Sequence, residues 1–166
     1  MRRYHLAVLL ALCSLLASPA AAAPPQAPPG YDAAYAGESV FLTLHRGDTG
    51  QFQVFFLNTG SVSWTRGAAT EVALSVCVDT PLSQRFRCNV LSPYADWAVN
   101  WTSPRLYATT AQSVVTAGGT ATFGFSVKVP ADAALGEFYF RGELVERSTG
   151  TPIHPIGYYQ LVTVVP

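Results

Sequence analysis

Thr120-Ala121-Thr122-Phe123-Gly124-Phe125-Ser126-Val127-Lys128-Val129 is the stretch that decides the fold. Ala121, Phe123, Phe125, Val127 and Val129 are apolar, and Thr120, Thr122, Gly124, Ser126 and Lys128 alternate with them. A period of two sends one set of side chains into a core and the other into water, which predicts a half-buried β-strand. Gly118-Gly119 turns the chain into it. Pro130 ends it, because proline has no N–H to donate to a ladder.

The same period recurs on both sides. Val40, Leu42 and Leu44 alternate with Phe41, Thr43 and His45. Phe52, Val54 and Phe56 follow Gln51 and Gln53, although Phe55 and Leu57 make the second face partly apolar. Val72, Leu74, Val76 and Val78 alternate with Glu71, Ala73, Ser75 and Cys77, and Phe138, Phe140 and Leu144 with Tyr139, Arg141 and Glu143. A last strand runs over residues 158–165, apolar on both faces and without lysine, so an open edge there is one expectation. Turn signals separate these runs: Arg46-Gly47-Asp48, Asn58-Thr59-Gly60-Ser61, Thr80-Pro81, Ser103-Pro104 and Ser148-Thr149-Gly150. No run has apolar residues at helical spacing. Short strands with regular turns make an all-β sandwich or barrel.

Residues 1–23 read as a signal peptide. Arg2 and Arg3 precede the 12-residue apolar run LAVLLALCSLLA at 6–17, and small residues lead to cleavage after Ala22 or Ala23. The run is shorter than the ~20 residues a membrane span needs. Cys13 follows Leu12, where a lipobox requires a small residue. Residues 24–30, with PPQAPP, read as a stiff Pro-rich linker, and 31–166 as one domain. Cleavage removes Arg2 and Arg3 and leaves a net charge of about −2 with no basic patch, which argues against nucleic acid. No membrane span is expected after signal cleavage. Cys77 and Cys88 remain as an even pair in an oxidising compartment, either joined as a disulfide or as separate thiols. By parity Cys77 points away from the face of Val72, Leu74 and Val76, so the disulfide is expected to staple a loop.

Asn58-Thr59-Gly60, then Trp64 and Gly67, resembles the N-T-G-x-x-x-W signature of the "four-tryptophan" immunoglobulin-like central domain of selective-autophagy receptors, in its bacterial exported branch. Residues 35–47, Trp101 to Arg105, 117–125 and 130–140 extend the resemblance over nearly all of the mature chain. Of the four tryptophans of the autophagy-receptor branch, Trp64 alone stands at a matching place, and Val54 occupies another. The resemblance implies an antiparallel immunoglobulin-like β-sandwich of about 7–8 strands and an extracellular setting, with Asn58, Gly60 and Trp64 as its structural signature. It implies no autophagy-type partner.

No catalytic constellation stands out, so no enzyme, cofactor or metal site is expected. His45 and His154 are isolated, whereas zinc takes three or four ligands at recognisable spacing. There is no H-E-x-x-H and no G-x-S-x-G. Glu143 and Glu146 fall on opposite faces of one strand and read as solvated charges. Arg46-Gly47-Asp48 matches an adhesion tripeptide but suits a turn regardless, and Asn100-Trp101-Thr102 is a formal glycosylation sequon.

The expected binding site is the irregular stretch 82–110, where Tyr94, Trp97, Trp101 and Tyr107 surround Arg105 near the cysteine pair. Exposed, these rings would stack on sugars or form a protein hot spot; turned inward, they would be the loop's own small core. The expectation is an exported, non-catalytic module, periplasmic, at the cell surface or secreted, with a protein or wall polysaccharide as partner. Alternatives are a carbohydrate-binding module using the aromatic loop, or a periplasmic chaperone using the open edge of the last strand.

Overall fold

The computed structural model describes residues 26–79, 86–153 and 157–166. The predicted signal peptide, the start of the linker and His154 lie outside them.

The strands are β1 (Ala33–Glu38), β2 (Leu42–His45), β3 (Thr49–Asn58), β4 (Trp64–Thr65), β5 (Val72–Asp79), β6 (Phe86–Cys88), β7 (Leu106–Thr109), β8 (Val114–Val115), β9 (Thr120–Lys128), β10 (Gly136–Glu146), β11 (Thr151–Pro152) and β12 (Tyr158–Val165). Eight of them hold four residues or more, and these eight build an immunoglobulin-like β-sandwich. One sheet has the order β1-β3-β9. The other has the order β2-β12-β10-β5-β6, with β7 also paired to β5 and β11 to β10. The chain crosses from the first sheet to the second between Glu38 and Leu42. β2 lies parallel to β12, and the other paired strands are antiparallel.

Alternation sets the core. Phe52, Val54 and Phe56 of β3 and Phe123, Phe125 and Val127 of β9 are fully buried. They meet Phe140 and Leu144 of β10 and Val162 of β12. Phe52 and Phe140 touch across the two sheets with ring centroids 6.2 Å apart. Each such side chain contributes about 1.5–3 kcal/mol by leaving water.

Asn58, Gly60 and Trp64 fasten one end of the sandwich. Asn58 is fully buried and its amide donates to the carbonyls of Val62 at 2.9 Å and Val115 at 3.1 Å. Its Oδ1 accepts from the Gly60 N–H at 3.1 Å. A Cβ on Gly60 would lie 2.3 Å from the Gly30 carbonyl oxygen, so only glycine fits the approach. Trp64 is fully buried beside β8.

Two expectations need correction. The last strand is no open edge: β12 is held between β10 and β2, because the chain crosses to this sheet after β1 and lays β2 along it. Glu143 and Glu146 are not solvated but 3% and 5% exposed. Glu143 accepts from the Leu144 N–H at 2.8 Å, and Glu146 takes the N–H groups of Ser148 at 2.8 Å and Thr149 at 3.0 Å. Burial pushes the Glu146 carboxyl up, but the Thr149 and Ser148 hydrogen bonds outweigh it and leave it below the usual range. Cys77 lies off the Val72–Leu74–Val76 face as parity requires, yet it is buried, because β5 is covered on both faces. Cys77 forms a disulfide with Cys88, directly opposite it on β6.

Arg46-Gly47-Asp48 is the tight turn between β2 and β3. The Asp48 carboxylate accepts from the His45 N–H at 2.9 Å, and Arg46 Nε donates to the Ala133 carbonyl at 2.7 Å.

Candidate functional site

The aromatic segment expected to bind turns inward. Trp97, on a short 3-10 turn over Ala95–Trp97, is 3% exposed and Tyr107 is 1% exposed. Trp97 packs on Phe138 at 4.7 Å and Phe140 at 5.7 Å, and Tyr94 on Phe140 at 5.1 Å. Trp101 meets Tyr107 edge to face at 4.6 Å, and its Nε1 donates to the Ser126 carbonyl at 2.9 Å. Tyr107 stacks on Phe125 at 4.5 Å and donates its hydroxyl to the Arg141 carbonyl at 3.1 Å. Burial raises the Tyr107 phenol far above its ordinary value, with a smaller push from Tyr94. Arg105 alone of the five is exposed, and it donates to the Asn89 carbonyl at 2.8 Å. The four aromatic side chains are a plug between the sheets, not an exposed platform.

The exposed aromatics are elsewhere. On β10, Phe138 and Phe140 face the core, so Tyr139 and Arg141 face out. On β12, Tyr158 and Gln160 face in, so Tyr159 faces out. The register sets Arg141 opposite Tyr159. Tyr139 and Tyr159 meet at 5.4 Å, and Phe41, just before β2, stacks on Tyr159 at 5.5 Å with planes 26° apart. The Arg141 guanidinium lies 5.5 Å from the Tyr139 ring centre and 5.7 Å from that of Tyr159. Its Nε pairs with Asp79 at 3.2 Å. Phe41, Tyr139 and Tyr159 are 45%, 36% and 40% exposed.

A pocket of about 490 Å³ adjoins this row, between β1 and the start of β12. Ala33, Ala34, Tyr35, Glu38, Phe41, Gly157, Tyr158 and Tyr159 line it. β1 carries a bulge here: Tyr35 pairs with Phe56 and Gly37 with Phe55, leaving Ala36 as the extra residue. The extra residue shifts the alternation, so Tyr35 and Glu38, three apart, turn to the same side. The Tyr35 phenol and the Glu38 carboxylate are close enough to perturb each other electrostatically. Gln160 Nε2 donates to Glu38 Oε2 at 2.7 Å from the opposite sheet. Burial raises the Glu38 carboxyl, and Tyr35 and the Gln160 hydrogen bond offset it only in part.

Tyr35, Glu38, Phe41, Tyr139, Arg141 and Tyr159 are a candidate site that the sequence alone did not single out. The available signal was an aromatic ring at the outward phase of an alternating strand, as at Tyr139. Among the described residues, no group of His, Cys, Asp and Glu could hold a metal, and no helix is long and apolar enough to cross a membrane.

No protein-family model and no curated protein matches the chain. Among solved structures it is similar to a CARDB domain from Pyrococcus furiosus, at 11% identity and a TM-score of 0.45, over 83% of this chain and 98% of that one. It is similar to a PapD-like domain of human CEP192 at 13% identity and a TM-score of 0.42, over 95% and 98% of the two chains. It is also similar to AvmM, which catalyses macrocyclization in alchivemycin A biosynthesis, at 9% identity and a TM-score of 0.40, over 84% and 92%. At these identities likeness concerns fold alone.

Proposed function

We propose that this chain is an exported, non-catalytic binding module that recognises a component of the cell envelope through the outer face of β10 and β12. The observation that carries the proposal is the exposed row Phe41–Tyr159–Tyr139 with Arg141 against it. Among the described residues most other large aromatics are buried, and contiguous exposed rings are the usual mark of an interaction site. Tyrosine and arginine are also the residues that most often dominate binding energy. Export rests on the signal-like residues 1–23 and agrees with the Cys77–Cys88 disulfide. The Asn58-Thr59-Gly60 and Trp64 signature supports placing the module in the exported branch of the four-tryptophan sandwiches.

The test is retention of the protein on two envelope fractions, purified wall polysaccharide and solubilised envelope proteins. Wild type is expected to be retained by one of them, and a folded Phe41→Ala/Tyr159→Ala variant is expected to be lost. Equal retention of the two rejects this face as the site. No retention of wild type on either fraction rejects the binding reading.

A further inference from the structure

We propose that the pocket between β1 and β12 binds an organic ammonium group, with Glu38 supplying the counter-charge and Tyr35, Phe41 and Tyr159 the surrounding π faces. The inference rests on the binding role given above to the adjoining aromatic face and names the chemistry that its pocket would take.

Charge complementarity is the first argument. Glu38 lies in a pocket whose other walls are alanine, glycine and aromatic rings. Its hydrogen-bond partner, Gln160, and its neighbour Tyr35 are neutral. Among the described residues, ion pairs join Arg141 to Asp79 and Arg147 to Glu71, and neither includes Glu38. A half-buried carboxylate with only neutral partners gains from a cation that enters beside it.

Ring placement is the second. Aromatic faces carry negative potential and attract cations, and quaternary ammonium groups are recognised by clusters of such rings. Phe41 and Tyr159 stack at one wall, and Tyr35 stands at the other, 46% exposed and edge-on to Phe56 at 5.9 Å. The β1 bulge puts ring and carboxylate on one side, an arrangement a regular strand would not produce. A volume of about 490 Å³ falls within the range of small-ligand pockets.

The experiment is an NMR titration of the processed, full-length product with choline, with Nα-acetyl-lysine amide, and with 3,3-dimethylbutan-1-ol, which has the shape of choline without its charge. Saturable shifts are expected at residues 33–41 and 157–160 with at least one ammonium probe. The neutral alcohol should bind about tenfold more weakly or less, as should choline to Glu38→Gln. Phe41→Leu keeps apolar area but removes a π face, and should weaken the ammonium probe while leaving the alcohol unchanged. Tighter binding of choline than of the lysine amide assigns a quaternary group; the reverse assigns a primary amine. Equal binding of choline and the alcohol, full affinity in folded Glu38→Gln, or no saturable shift with either ammonium overturns the proposal. If the ammonium probes fail while Phe41→Ala/Tyr159→Ala still abolishes envelope retention, the binding face stands and the cation assignment falls.

Discussion

Gln160, fully buried in the middle of β12, donates its side-chain amide to the Glu38 carboxylate at 2.7 Å and so ties the edge strand of one sheet to the opposite sheet. The contact fixes β1 where the chain is about to leave its sheet for β2. It also holds a carboxylate half out of water, which is a stability cost with a readable pH signature.

Glu38→Gln should show that signature. Burial raises the folded carboxyl of Glu38 above its unfolded value of ~4.3. A raised carboxyl favours the native state fully below the unfolded value, and that contribution is lost as pH rises through the folded value. Glutamine has no charge to bury and can still accept from Gln160. The variant should therefore match wild type in urea unfolding near pH 3 and exceed it in stability at pH 7. A gap that is the same at both pH values would show that Glu38 is not titrating against burial.

Asn58 should tolerate no substitution, and aspartate least. Its amide satisfies the carbonyls of Val62 and Val115, while its oxygen accepts from Gly60. Alanine leaves buried groups without partners, at about 1–3 kcal/mol. Aspartate points an acceptor at two acceptors and buries a charge, so it should cost more than alanine, by about 1 kcal/mol or above. Urea midpoints of the two variants give the order directly.

The disulfide closes a separation of 11 residues between neighbouring strands. Restricting a loop of that size in the unfolded chain is worth about 2–3 kcal/mol. Cys77→Ala/Cys88→Ala should lose that much by denaturant unfolding, and reductant should lower wild type to the variant's level without changing the variant.

Much of this architecture was legible in the sequence. The alternation from Thr120 to Val129 predicts β9 nearly to the residue, because one face of that strand is buried and the other wet. The Asn58-Thr59-Gly60 turn was legible from its turn-forming residues, and the place of Trp64 from the resemblance to the four-tryptophan signature. The position of β12 was not: its neighbours include β2, more than a hundred residues earlier, and no local pattern encodes a parallel pairing across the whole chain. The exposed aromatic row was hidden for a similar reason. Tyr139 and Tyr159 are twenty residues apart and meet only through the β10–β12 register. The Tyr94–Tyr107 segment lacks a period, so nothing in it tells an exposed ring from a buried one.

The two aromatic groups should therefore separate in a single pair of experiments. Trp97 is buried against Phe138 and Phe140, and alanine there removes a large side chain that neighbouring strands cannot refill. Trp97→Ala should cost about 3–5 kcal/mol and lower the thermal midpoint by several degrees or more. Phe41→Ala/Tyr159→Ala removes rings that are each two-fifths exposed or more, and whose mutual stacking is worth about 0.5–1.5 kcal/mol. That variant should unfold within about 1–2 kcal/mol of wild type yet lose retention on the envelope fraction. The reverse pattern, with a mild Trp97 variant that no longer binds and a fully binding Phe41/Tyr159 variant, would move the recognition surface back to the segment that the fold uses as its plug.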